Sequence, residues 1–152
     1  MKKFSFTLQP LVKYKETIER MQKEELRRAQ QILRDLQTEE NRLLLAYSAN
    51  EHSLEEALRK NENVGQALSE HDAYFRYLRE AIKVIRDKIS KAELVVQSCQ
   101  DRLIATMKEL KTYDKLKQEQ FAEYLKEVQM EEDKDMGDLI SFKTIASERV
   151  SR

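Results

Sequence analysis

The stretch Phe75-Arg76-Tyr77-Leu78-Arg79-Glu80-Ala81-Ile82-Lys83-Val84-Ile85-Arg86-Asp87-Lys88-Ile89 decides the fold. Its residues Phe75, Leu78, Ile82, Ile85 and Ile89 recur at alternating steps of three and four. That is the a/d repeat of a coiled coil, in which one narrow apolar stripe faces a partner helix. The repeat continues through Ala92, Val96, Cys99 and Leu103, lapses at Thr106, and returns at Leu110 and Tyr113. A stripe this narrow suits helix-on-helix pairing better than burial in a broad core. Beyond Tyr113 the regular positions fall on Lys117 and Gln120, and the seam fails. It resumes at Phe121, Tyr124 and Val128, four residues late, which predicts a stutter that locally unwinds the supercoil.

Working outward, the N-terminal half carries a rougher seam. It reads Leu11, Tyr14, Ile18 and Met21, then slips by one residue to Leu26, Ala29, Leu33 and Leu36. Glu40 is a lapse, Leu43 and Tyr47 follow, and Leu54, Ala57 and Leu58 finish it. Pairs such as Glu24 with Arg28 and Asp87 with Lys91 support the outer faces, at about 0.2–0.5 kcal/mol each. One interruption, residues 61–69, separates the two seams. It holds Asn61, Asn63 and Gly65, and Gly65 is expected to end the first helix in a left-handed conformation. Ser69 with Asp72 resembles a capping box for the second helix. Thr7 is the candidate start of the first helix, with Pro10 tolerated in its first turn.

The expected fold is therefore all-α: two long helices forming an antiparallel coiled-coil hairpin. Helix one is expected over about 8–60, a turn over about 61–69, helix two over about 70–136, and a tail over 137–152, all in a single hairpin domain. A reversal centred near residue 66 sets Leu8 beside Tyr124. Residues after roughly Lys126 then form an overhang.

Composition agrees. The 152 residues include only 2 Gly and 1 Pro, which leaves little turn chemistry and few chain reversals. Charged residues make up 37% while apolar ones still reach 40%, the balance of exposed helices rather than of disorder. Lys and Arg number 28 against 28 Asp and Glu, so there is no general pull toward nucleic acid or anionic lipid. No run of 18 apolar residues occurs, so no membrane insertion is expected. The opening residues lack the unbroken apolar stretch of a secretory signal, and the single Cys99 cannot form an internal disulfide; both suit a cytosolic protein.

Chemistry-bearing constellations are scarce. His52 and His71 are 19 residues apart, and with one cysteine the chain cannot readily supply four zinc ligands. Cys99 occupies a d position and reads as a small buried hydrophobe. Paired catalytic carboxylates need a desolvating cleft, which two paired helices lack. There is no glycine-rich phosphate loop. The expectation is a binding protein with no cofactor, no metal and no enzymatic activity. Tyr74 and Tyr77 could stack on bases, yet acids interleave with the basic residues almost one for one, the look of a solvated helix face. Tyr74, Phe75, Tyr77 and Leu78 crowd one turn and read either as local packing or as an exposed patch for a partner. Glu131-Glu132-Asp133-Lys134-Asp135 reads either as a solvated helix end or as an electrostatic docking point.

Four features together resemble the FliJ family of the bacterial flagellar protein-export apparatus. They are the opening Lys3-Phe4-Ser5-Phe6-Thr7-Leu8-Gln9-Pro10-Leu11 with Tyr14, the length, the two long helices broken near residue 65, and the late segment Glu131 to Ile140 with Lys134, Met136, Asp138 and Leu139. Gly137 stands where the family more usually has an acid. The resemblance implies a cytoplasmic component, peripheral to the membrane at the flagellar base. It implies a stalk whose open end inserts into the flagellar export ATPase hexamer, with contacts to the export-gate membrane protein and to export chaperones. The gate surface would include Leu44, Tyr47, Tyr74, Leu78 and Ala81. For the ATPase ring, the open end offers Leu11, Tyr14, Phe121, Tyr124 and Val128. The alternative is a generic coiled-coil chaperone or scaffold unrelated to flagella.

Overall fold

A computed structural model describes residues 2–60 and 63–151. Among them are two helices, α1 (Gln9–Lys60) and α2 (Val64–Val150), and no strand. The helices pack against each other, and the fold is all-α and of the antiparallel coiled-coil hairpin class. The chain forms two compact units, Arg20–Ile104 and Met1–Glu19 with Ala105–Arg152.

In the unit of residues 20–104, burial follows the heptads. Leu78, Ile82, Ile85 and Ile89 form the core with Leu43, and Leu33, Leu36, Ala46, Tyr47 and Ala81 pack against it. Leu78 is 1% exposed. Cys99 and Leu103 continue the stripe. Burying such aliphatic side chains stabilises by about 1.5–3 kcal/mol each, far more than the surface ion pairs. Cross-helix contacts are antiparallel: Tyr47 meets Phe75 at 4.8 Å between ring centroids, Arg86 reaches Glu40 at 3.0 Å, and Arg102 approaches Glu25 at 3.8 Å. The pair Glu40 and Arg86 has its midpoint at residue 63, so the reversal centres there and not at 66.

Two expectations about the turn are corrected. Residues 64–69 are helical, and Asn61 and Glu62 lie outside the described residues. Gly65 has no positive φ; Asn63 takes that role at φ 45°, a conformation Asn tolerates better than most residues. The carbonyl of Asn63 accepts the amide of Ala67 at 3.1 Å, and its side-chain amide donates to Gln66 Oε1 at 3.0 Å. Asn63 is thus the N-cap of α2, with Gln66 three residues on in the capping-box place. Ser69 and Asp72 lie inside the helix, where Asp72 pairs with Arg76 at 3.0 Å. Helix α2 also runs on to Val150, well past residue 136, since Gly137 costs only about 1 kcal/mol in a helix interior.

Polar groups complete the seam near the turn. Asn50 is buried at a seam position, and its Nδ2 donates to the carbonyl of His71 at 3.2 Å. His71 Nδ1 lies 2.7 Å from the carbonyl of Ala67, so that nitrogen carries the proton and Nε2 can accept from the Ser53 hydroxyl, 3.3 Å away. A polar seam residue of this kind fixes register. Along α1, Tyr14 and Met21 do not face α2 as the periodicity suggested: they are 62% and 60% exposed. Lys15, Ile18 and Gln22 are half-buried instead.

In the unit of residues 1–19 and 105–152, Leu8 is the N-cap of α1 in place of Thr7, its carbonyl accepting the amide of Val12 at 3.0 Å. Residues 2–8 are non-helical and lie along α2. Phe6 is buried, and Phe4 meets Phe121 edge-on at 5.1 Å and Tyr124 at 5.5 Å. The Tyr124 hydroxyl donates to the carbonyl of Lys2 at 2.8 Å. Lys15 bridges to Glu109 at 2.7 Å, and Lys117 Nζ lies 3.5 Å from Gln9 Oε1. Leu8 therefore lies level with residue 118, and Tyr124 meets Lys2. The half-buried positions of α2 here are Leu110, Tyr113, Leu116, Gln120, Tyr124 and Val128. Leu116 and Gln120 carry the seam across the expected gap, with three successive steps of four that mark the stutter. From Gln129 to Ser151 every residue is exposed.

Candidate protein-binding surfaces

The five residues expected at the gate surface do not form one face. Leu78 is the most deeply buried large side chain and belongs to the core. Leu44 and Tyr47 line a groove on one side of the seam with Ile82, Arg79, Lys83 and Arg86. Ala81 lines a groove on the other side with Leu43, Tyr77, Val84 and Ile85, rimmed by Glu39, Arg42, Glu80 and Lys88. The split is a consequence of helical geometry: neighbours such as Ala81 and Ile82 point about 100° apart around the helix axis, to either side of the stripe. Tyr74 and Tyr77 stack at 6.2 Å and are 43% and 62% exposed, so these two are surface rings while Phe75 packs inward on Tyr47.

The two grooves differ in charge. The Leu44 groove has three cations on its rim. Arg86 donates to Glu40, whereas Arg79 and Lys83 have no ion pair among the described residues. The Ala81 groove balances two acids with two bases, and Arg42 and Glu39 are joined at 2.6 Å. That hydrogen bond holds the Glu39 carboxyl below its ordinary range and raises the Arg42 guanidinium.

Of the residues expected to meet the ATPase ring, Phe121 and Tyr124 hold Phe4, and Val128 and Tyr124 line a cavity with residues 2–5, Glu127 and Glu131. Leu11 is half-buried and Tyr14 is exposed. The uncovered apolar surface lies further on: Met130, Met136, Leu139, Ile140, Phe142 and Ile145 are all 53–71% exposed. Met136, Leu139 and Ile140 have the i, i+3, i+4 spacing of one helix face. Met130 and Met136 fall within the helix expected from the sequence, whereas Leu139, Ile140, Phe142 and Ile145 are set on a presented helical surface only because α2 continues through Gly137.

No group of three or more His, Cys, Asp or Glu suited to a metal occurs among the described residues, and no described helix is long and apolar enough to cross a membrane. Cys99 is buried with its Sγ 3.5 Å from Arg102 Nη2. His52 is surface-exposed beside Glu56 at 3.3 Å.

A family model described as the flagellar FliJ protein matches residues 4–149. The chain belongs to the FliJ family. As a FliJ-family member it is a component of the flagellar protein-export apparatus. No curated protein and no solved structure matches it significantly. The family match spans the Phe4 strap, both seams and the exposed end of α2 alike.

Proposed function

We propose that this FliJ-family chain acts as a non-catalytic stalk whose α2 end enters the ring of the flagellar export ATPase. A second contact is made with the export-gate membrane protein near the turn. The observation that carries this reading is the last stretch of α2, which is helical from Gln129 to Val150 and wholly exposed while keeping seven large apolar side chains. A helix end of that kind buries its apolar face only against a partner. The acids Glu131, Glu132, Asp133 and Asp135 beside it provide charge to set orientation. The ATP chemistry belongs to the partner, at the cytoplasmic face of the membrane, and empty export chaperones are further partners. The test is co-elution of the purified chain with the export ATPase and a rise in ATP turnover. A chain ending at residue 129 should lose both effects and keep its helical hairpin. Absence of binding by the full chain at micromolar concentration would remove the proposal.

A further inference from the structure

We propose that the Leu44 groove is the docking site for an acidic amphipathic helix of an export-apparatus partner, gripped through Arg79, Lys83 and Arg86. The proposal rests on the reading that the gate protein docks near the turn, and it adds which side is used and what chemistry is recognised. The floor of the groove is Leu44, Tyr47 and Ile82. Its charged rim comes from one helix at i, i+4 and i+7, and no acid lines the groove. At 1.5 Å per residue that row spans about 10 Å, two turns of an opposing helix. Carboxylates at i, i+4 and i+7 on such a helix face the row while its apolar residues enter the floor.

Alternative occupants fit less well. A nucleic acid or an anionic membrane would meet the cations, but its phosphates have no use for the Leu44, Tyr47 and Ile82 floor. The chain's charge balance of 28 against 28 adds no long-range field to draw a polyanion. The Ala81 groove is neutral and internally paired, so it offers apolar contact without charge selection. Arg79 and Lys83, lacking ion pairs among the described residues, are the two charges a partner can neutralise without breaking an existing bridge.

The experiment uses the full chain and the purified cytoplasmic part of the export-gate protein. A photo-crosslinking amino acid replaces Leu44 in one variant and Tyr77 in another, and the partner peptide captured is sequenced. The expected result is capture from Leu44, by a segment with at least three acids at helical spacing. Arg79→Glu with Lys83→Glu should then weaken binding at least tenfold. Arg79→Gln with Lys83→Gln should weaken it less, with affinity falling as salt rises. A helical circular-dichroism spectrum for each variant excludes unfolding. Capture from Tyr77 alone overturns the proposal and leaves gate docking standing. Capture from Leu44 by a basic or uncharged segment, or binding indifferent to the Arg79 and Lys83 charge reversals, also overturns it. Capture from neither position removes gate docking itself. Competition by a short RNA duplex or by phosphatidylglycerol vesicles as strong as that of the captured peptide would assign the groove to phosphates instead.

Discussion

The unit of residues 20–104 and the terminal unit contain segments of the same two helices, yet they are held by different means. The first is a heptad seam in which Leu78, Ile82, Ile85 and Ile89 bury against Leu43. The second buries Phe6 and Thr106 and gathers Phe4, Phe121 and Tyr124 under a non-helical strap. A repeating aliphatic stripe secures one region, and a few aromatic contacts between a strap and a stuttered helix secure the other. Strong packing occurs where the periodicity of 3.5 is kept; where it breaks, side chains from outside the helices fill the gap.

That contrast can be broken most forcefully at Leu78. Leu78→Ala leaves a cavity in the middle of the seam and should cost about 2–5 kcal/mol, read as a lower denaturant midpoint. Because Leu78 is buried, any loss of gate binding in this variant should track the loss of stability and not a lost contact. Phe4→Ala removes two aromatic neighbours worth about 0.5–1.5 kcal/mol each. It should release the strap, raising amide exchange in residues 118–128 while the exchange of residues 78–89 stays unchanged. Equal acceleration in both regions would refute the independence of the two units.

A gain is expected at Gln22, whose Oε1 is buried without a hydrogen-bond partner among the described residues. Gln22→Leu should stabilise by about 1 kcal/mol, seen as a higher Tm, because an unpaired buried acceptor is replaced by an apolar group of similar size. The smallest effect is on pH. Hydrogen bonds from Arg27 and Arg42 hold Glu24 and Glu39 below the usual carboxylate range. Their contribution is present above about pH 4.3 and fades as pH falls through the lowered folded values. Lys15 is shifted the other way by its hydrogen bond to Glu109, so its contribution is present below about pH 10.4 and fades as pH rises through the raised folded value. Acid below about pH 4.3 should therefore loosen the 20–104 unit slightly, and strong alkali the terminal one. Melting curves followed by probes in each unit check the order, with small amplitudes expected for exposed pairs.

The α2 seam was legible from Phe75 to Tyr113 because a repeat this regular leaves one choice of face, and even Thr106, a lapse in the apolar count, is buried at its seam position. The α1 seam was less so. Lys15 and Gln22 occupy places that an apolar count gives to Tyr14 and Met21, since a long polar side chain can bury its stem; the Lys15 tip finds Glu109, while Gln22 Oε1 is buried without a partner among the described residues. Asn50 escaped the same count because a short amide enters the seam only where a backbone carbonyl, here that of His71, accepts from it. The turn was misplaced because Gly65 drew the break toward itself, whereas Asn63 and Gln66 carried the start signal. At the candidate surfaces, residue types were readable but sidedness was not. Leu44 and Ala81 separate only once the register of the two helices is fixed.

The uncovered end of α2 has a consequence for how quickly it can be captured. Twenty or so residues with no tertiary support form a helix close to the margin of stability in water. Yet the segment grows out of a helix already nucleated by the strap and the seam, so the costly first turn is formed in advance. A partner that receives it meets a shaped probe rather than a coil awaiting order, so that under the proposed stalk role capture is docking without a folding step.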